Sequence, residues 1–207
     1  MNAPVTSSIR HLPASDADKS GGAMEALRLG IKARAAHDIG AVIARPEDPG
    51  LIAGVEIDLG TIWPDDRGFF TELFRLGELA GAQAMTRDFG PETQISAALS
   101  YAGAIKAVHY HRRQTDVWAP LRGQFQMALF DLRVDSPTFG RVNTLYGGEW
   151  RPWRVRIPAG VGHGYKVLGT EPGMMIYATN RHYDPADEGR IAYDDSGLNY
   201  DWELQHK

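Results

Sequence analysis

"VHYHRRQTDVWAPLRG", residues 108–123, decides how this chain is read. Laid out as extended backbone, His109 and His111 stand at i and i+2, so both point to one face. A second run starts near Asp116 and ends at Gly123. A hairpin joining the two runs brings Asp116 opposite the histidines. Two imidazoles and a carboxylate on neighbouring strands make half a shell for a divalent metal. His163, in "IPAGVGHGYKV", offers a fourth donor behind a Pro-Ala-Gly turn.

The flanking sequence has the same texture. "GVEIDLGTIW", "TQISAALSYAG", "GAIKAVHYH", "QFQMALFDLRV", "WRVRIPAG" and "GMMIYATNRHY" are short, often alternating runs. Gly, Pro and Asp punctuate them at intervals of roughly 8–12 residues, which predicts an all-β sandwich or barrel. Before residue 51 the texture differs. Residues 1–22, rich in Ser, Asp, Ala and Pro, read as a flexible arm. In "AMEALRLGIKARAAHD", residues 23–38, Leu27, Ile31 and Ala35 recur at every fourth position among good helix formers, which predicts a short helix. "ARPEDPG", residues 44–50, is a Pro/Gly break. The expected division is therefore a helical and flexible extension over 1–50 and a β domain over 51–207. A further helix is predicted at "ELFRLGELAGA", residues 72–82.

Composition narrows the function. A chain of 207 residues can bury a core in a single domain. A formal net charge of −4 without a basic block leaves no nucleic-acid footprint. The absence of cysteine removes disulfides, thiolate metal sites and cysteine nucleophiles together. No apolar run approaches the ~18 residues needed to span a membrane. The N-terminal stretch lacks the apolar core of a signal peptide. A cytoplasmic protein with neither nucleic acid nor membrane as partner is expected.

Two resemblances follow from the motifs. Gly103, five residues, His109, one residue, His111, four residues, Asp116, six residues, Gly123 resembles the first cupin motif, with Asp where Glu is usual. Pro158-Ala159-Gly160, two residues, His163 resembles the second. In metal-binding cupins such residues hold Mn, Fe, Ni, Cu or Zn. More narrowly, "PDDRGFFTELF", "GAIKAVHYH", "LRGQFQMALFDLRVDSPTFG", "IPAGVGHGYKVL", "MIYATNRHYDPADEGRIAYDD" and "LNYDWEL" resemble the dTDP-4-dehydrorhamnose 3,5-epimerase family, in order over residues 54–203.

That resemblance implies a cupin-type double-stranded β-helix, or jelly roll, acting as a homodimer that shares strands between subunits. It implies an isomerase of deoxysugar biosynthesis that epimerises a nucleotide-linked 4-keto-6-deoxy sugar and requires no cofactor. A base removes a proton alpha to the ketone, and an acid returns one to the other face. His109 matches the family's base and Tyr177 its acid. His163 matches a second pocket histidine, Arg67 a diphosphate-binding arginine and Gln94 a substrate-contacting glutamine. Lys106 stands where the family has a phosphate-binding arginine. In a regular strand Lys106 and His109 face opposite ways, so a bulge must intervene if both serve one pocket.

The chain also departs from the family. Asp116 replaces a lysine that stabilises the enolate oxygen, and His111 replaces a glutamine. The aspartate that orients the family's base histidine has no counterpart in "DWELQHK". Two readings fit. In one, His109, His111, Asp116 and His163 hold Fe, Mn, Ni or Zn, which takes over the lysine's role as Lewis acid. In the other, Asp116 is a metal-free catalytic group that orients His109 or His111. The alternatives to an epimerase are a metal-dependent cupin of other chemistry, such as an Fe(II) oxygenase, and a non-catalytic sugar-nucleotide binder.

Overall fold

The computed structural model describes residues 8–13, 27–77 and 84–203. Among them the chain forms strands only. They are β1 (Ile9–His11), β2 (Gly30–Lys32), β3 (Ala41–Val42), β4 (Glu56–Asp58), β5 (Ile62–Asp65), β6 (Gly68–Thr71), β7 (Gln94–Ser100) and β8 (Ile105–His111). They continue as β9 (Asp116–Arg122), β10 (Gln124–Asp131), β11 (Val142–Gly148), β12 (Arg154–Ile157), β13 (Val161–Leu168), β14 (Gly173–Thr179) and β15 (Glu188–Arg190). The all-β jelly roll expected from the motifs is the fold observed.

Two facing sheets carry the architecture. One is ordered β15-β8-β13-β10-β11-β3, the other β4-β12-β9-β14-β7. Apart from the parallel pair β3–β11, neighbouring strands run antiparallel. β8 and β9 are consecutive in sequence but lie in different sheets. Asp116 therefore meets the histidines across the gap between sheets and not along a hairpin ladder.

Strand β10 shows how the core is divided. Phe125, Met127 and Leu129 face inward and join Val155, Ile157, Tyr165 and Met175 between the sheets. Ala128 and Phe130, on the alternate face, join a second core outside the six-stranded sheet. Leu29, Ile31, Leu198, Tyr200 and Trp202 cover that outer face.

Those covering residues correct the helix expected over 23–38. Residues 27–38 form β2 and isolated bridges at Leu29 and Asp38, while 23–26 lie outside the described residues. Leu29 and Ile31, 2% and 1% exposed, alternate as strand residues do. Gly30, which would weaken a helix interior by about 1 kcal/mol, lies close against Ile9 and Arg10 and donates its N–H to the Leu132 carbonyl. Tertiary burial overrides the propensity of this segment. Within the expected flexible arm, Ile9–His11 pair with β2, and residues 1–7 and 14–22 lie outside the described set. Residues 72–77 carry no helix, and 78–82 are outside the described residues. No helix among the described residues is long and apolar enough to cross a membrane.

Candidate active site

Where the two sheets part, a cavity of about 340 Å³ opens between them. Gln94, Lys106, His109, His111, Asp116, His163 and Tyr177 all line it. Seven of the eight residues singled out by sequence thus come together. Arg67 does not join them. It sits in the turn between β5 and β6, 83% exposed, with its guanidinium 2.6 Å from Asp65 Oδ2.

Strand β8 supplies three of these side chains. Val108 and Tyr110 point into the outer core, so His109 and His111 point inward. Lys106 should then face outward. The pairing with β13 shows why it does not. His109 pairs with His163, but Lys106 pairs with Tyr165, so three steps on β8 oppose two on β13. The extra residue is a β-bulge, which restores Lys106 to the cavity side. Gly164 leaves room for it, since a Cβ there would meet the Ala107 Cβ at 2.3 Å.

His109 is the most exposed of the three cavity histidines, with its side chain 35% exposed and Nδ1 3.8 Å from Glu188 Oε2. Burial lowers its pKa, the Glu188 carboxylate opposes that, and the net direction is downward. The imidazole is consequently neutral near pH 7 and able to accept a proton. Glu188 also accepts a 2.6 Å hydrogen bond from Arg190 Nε.

Deeper in, His111, Asp116 and His163 converge, all three buried. His163 Nε2 is 3.6 Å from Asp116 Oδ2, and His111 Nε2 is 4.0 Å from Asp116 Oδ1. The Nδ1 of His163 lies 3.0 Å from the Val161 carbonyl oxygen, which fixes the ring and its tautomer. Burial pushes the His163 pKa down to about 4, against the attraction of Asp116. The amide of Gln114 reaches both Asp116 Oδ1 (2.7 Å) and His111 Nε2 (3.2 Å). His109 is not in this cluster, so three of the four expected metal donors are brought together and the fourth stands apart.

The facing sheet supplies the opposite wall. Tyr177, on β14, is paired with Trp118 on β9 and packs against the inner core. Trp118 meets His163 edge-on, with ring centroids 5.1 Å apart. Gln94, on the edge strand β7, hydrogen-bonds Ser96 and accepts from the Tyr183 N–H.

Sequence reasoning missed Glu188 and Gln114. Glu188 belongs to a three-residue strand without alternation, and only its pairing with β8 brings it to His109. Gln114 lies in the turn after β8, whose backbone N–H groups at Arg112 and Gln114 are held by the buried Asp187 carboxylate. The spacing of Gln114 two residues before Asp116 was the available signal.

Most of the chain is similar to known proteins. Residues 51–207 match the dTDP-4-dehydrorhamnose 3,5-epimerase family. The spore coat polysaccharide biosynthesis protein SpsL of Bacillus subtilis is 42% identical over 159 residues, covering 76% of this chain and 100% of that protein. Among solved structures, the 3'-monoepimerase ChmJ of Streptomyces bikiniensis in complex with dTDP-quinovose superposes with a TM-score of 0.61 at 30% identity, covering 71% of this chain and 74% of that one. The dTDP-6-deoxy-D-glucose-3,5-epimerase of Legionella pneumophila in complex with dTDP-4-keto-L-rhamnose gives 0.62 at 27% identity, covering 74% and 80%.

Proposed function

The chain belongs to the dTDP-4-dehydrorhamnose 3,5-epimerase family, and on that premise we propose that it epimerises a dTDP-linked 4-keto-6-deoxyhexose by moving a proton at a carbon next to the ketone. The observation that carries this reading is the placement of His109 and Tyr177 on opposite walls of one cavity. Inverting a centre requires removal of a proton from one face of the sugar and its return to the other. A base on one sheet and an acid on the facing sheet suit that requirement.

In this reading neutral His109 takes the proton alpha to the C4 ketone, and the Glu188 carboxylate, 3.8 Å from the ring, offsets the charge that develops on it. Tyr177 delivers a proton to the other face of the enolate. Lys106 and Gln94 hold the nucleotide-sugar, Lys106 through its charge on the diphosphate. These proton steps use side chains alone.

We also assign a homodimer to this function. The β5–β6 hairpin exposes Trp63, Phe69 and Phe70, and the edge strand β7 exposes Ile95 and Leu99. Exposed aromatics and an apolar edge mark an interaction surface. Such a dimer gives Arg67, which does not line the cavity of its own subunit, a route to the diphosphate in the other.

The test is incubation with dTDP-4-keto-6-deoxyglucose in deuterated water, read by NMR and mass spectrometry. Deuterium at C3, C5 or both is expected, slowed by roughly 10²–10⁴-fold in His109→Asn. Absence of label under conditions where the protein binds dTDP overturns the reading. In Tyr177→Phe, loss of the inverted product is expected to exceed loss of solvent exchange, because His109, after its bound proton exchanges with solvent, can return a deuteron to the face the proton left.

A further inference from the structure

We infer that His111, Asp116 and His163 form a binding site for one divalent transition-metal ion in the buried wall of this cavity. The site's catalytic meaning rests on the epimerase reading, but its existence rests on the three side chains alone.

The donor atoms lie within 4.8 Å of one another. An ion about 2.0–2.2 Å from each nitrogen and oxygen needs donors roughly 3–3.5 Å apart. The observed 3.6 and 4.0 Å separations from Asp116 require only a small inward movement. The histidine tautomers suit coordination. With its Nδ1 proton on the Val161 carbonyl, His163 keeps a lone pair on Nε2, directed at Asp116. Metal-bound histidines are oriented in this way, by donating the other ring N–H to a carbonyl or carboxylate. His111 Nε2 faces an amide nitrogen, which can only donate, so it too carries a lone pair.

Asp116 is 4% exposed, and its hydrogen bond among the described residues comes from the neutral amide of Gln114. A buried carboxylate is ordinarily matched by a cation or by several donors. The Gln114 amide aims at two of the three lone-pair sites, where a cation would draw the same atoms together. The rival arrangement, Asp116 orienting an imidazole, lacks its hydrogen bond. Both histidine nitrogens are beyond 3.5 Å from the carboxylate, and the His163 ring proton is already engaged.

Two imidazoles and one carboxylate suit Fe(II), Mn(II), Co(II), Ni(II) or Zn(II), and three protein ligands leave positions open toward the cavity. A divalent ion there would act as Lewis acid on a carbonyl oxygen. His109 lies outside the cluster, so coordination and proton abstraction do not compete for one ring.

The experiment is metal analysis of chelator-treated full-length protein re-loaded separately with Mn(II), Fe(II), Co(II), Ni(II) and Zn(II). It is read by elemental analysis after gel filtration, by calorimetry, and for Co(II) by visible d–d bands. About one equivalent per chain of at least one metal is expected. Binding should weaken at least 100-fold in Asp116→Asn and His163→Gln and stay within about threefold in His109→Asn. Circular dichroism identifies any variant that has failed to fold, and the isosteric Asp116→Asn keeps the test valid if His163→Gln does not fold. Less than 0.1 equivalent of every metal, or undiminished binding in folded Asp116→Asn, overturns the inference. Deuterium incorporation is scored separately: metal binding without it sinks the epimerase reading alone, and incorporation by metal-free protein that binds no metal sinks this one alone.

Discussion

Lys106 and His109 stand three positions apart on one strand and nevertheless open onto the same cavity. The bulge between them makes this so, and Gly164 on the neighbouring strand accommodates it. In Gly164→Ala the added carbon meets the Ala107 Cβ and Cα within 2.8 Å. The expected result is a loss of about 1–3 kcal/mol in urea unfolding, as for an overpacked core. A rise in the Michaelis constant should accompany it as Lys106 leaves its place. Unchanged stability and kinetics would remove Gly164 from this account.

Glu188 is expected to act on His109 through its charge. Glu188→Gln should lower kcat about tenfold with little change in the Michaelis constant, and Glu188→Asp should recover part of the loss. A purely structural role would instead appear as a lowered melting temperature with kcat unchanged in the folded fraction. Thermal unfolding measured beside the kinetics separates the two.

Arg67 and the aromatic hairpin bear on the dimer. Phe70→Ser is expected to shift the molecular mass seen by light scattering toward that of the monomer. Arg67→Ala should leave the mass alone and weaken dTDP binding about tenfold, by loss of a guanidinium–phosphate pair. A monomeric wild-type protein that binds dTDP normally would contradict both assignments.

Asp131 sets an acid limit on stability. Burial raises its carboxyl, but hydrogen bonds from Arg133, Ser136 and Thr138, with the Arg133 charge, outweigh burial and hold it below the usual carboxylate value. A carboxylate held low in the folded state contributes stability that is fully present above the unfolded pKa, about 3.9. That contribution is lost as pH falls through the lower folded pKa. Asp131→Asn should therefore cost about 3 kcal/mol at pH 7 and progressively less below about pH 4. Urea midpoints between pH 7 and pH 3 measure the convergence.

Much of the site was legible because a strand has period two. The spacing of His109 and His111 places both on one face wherever the strand lies, and Asp116 and His163 follow at motif distances. The bulge was legible only as a requirement, since nothing local in "AIKAVHYH" marks it. The helix expected over 23–38 failed for a related reason: Leu27 and Ile31 are four apart, which is one helical turn but also two strand repeats. With Leu29 between them, the same residues satisfy a strand, and burial against Phe130 and Leu132 decides the matter. Arg67 has the right chemistry but lies on the exposed β5–β6 turn, outside the lining of its own cavity. Glu188 and Gln114 owe their places to contacts far along the chain or around a turn.

The outer face of the six-stranded sheet has a consequence for where this protein can be cut. The family match begins at residue 51, whereas Leu29 and Ile31 help to cover the back of the strands that carry His109, His111 and His163. The matched region and the folded unit are thus different lengths of chain. An expression clone trimmed to that region would keep Leu198, Tyr200 and Trp202 over this face but lose Leu29 and Ile31, leaving an apolar gap in its cover. Poor solubility of such a clone would reflect a missing cover and not a defective enzyme.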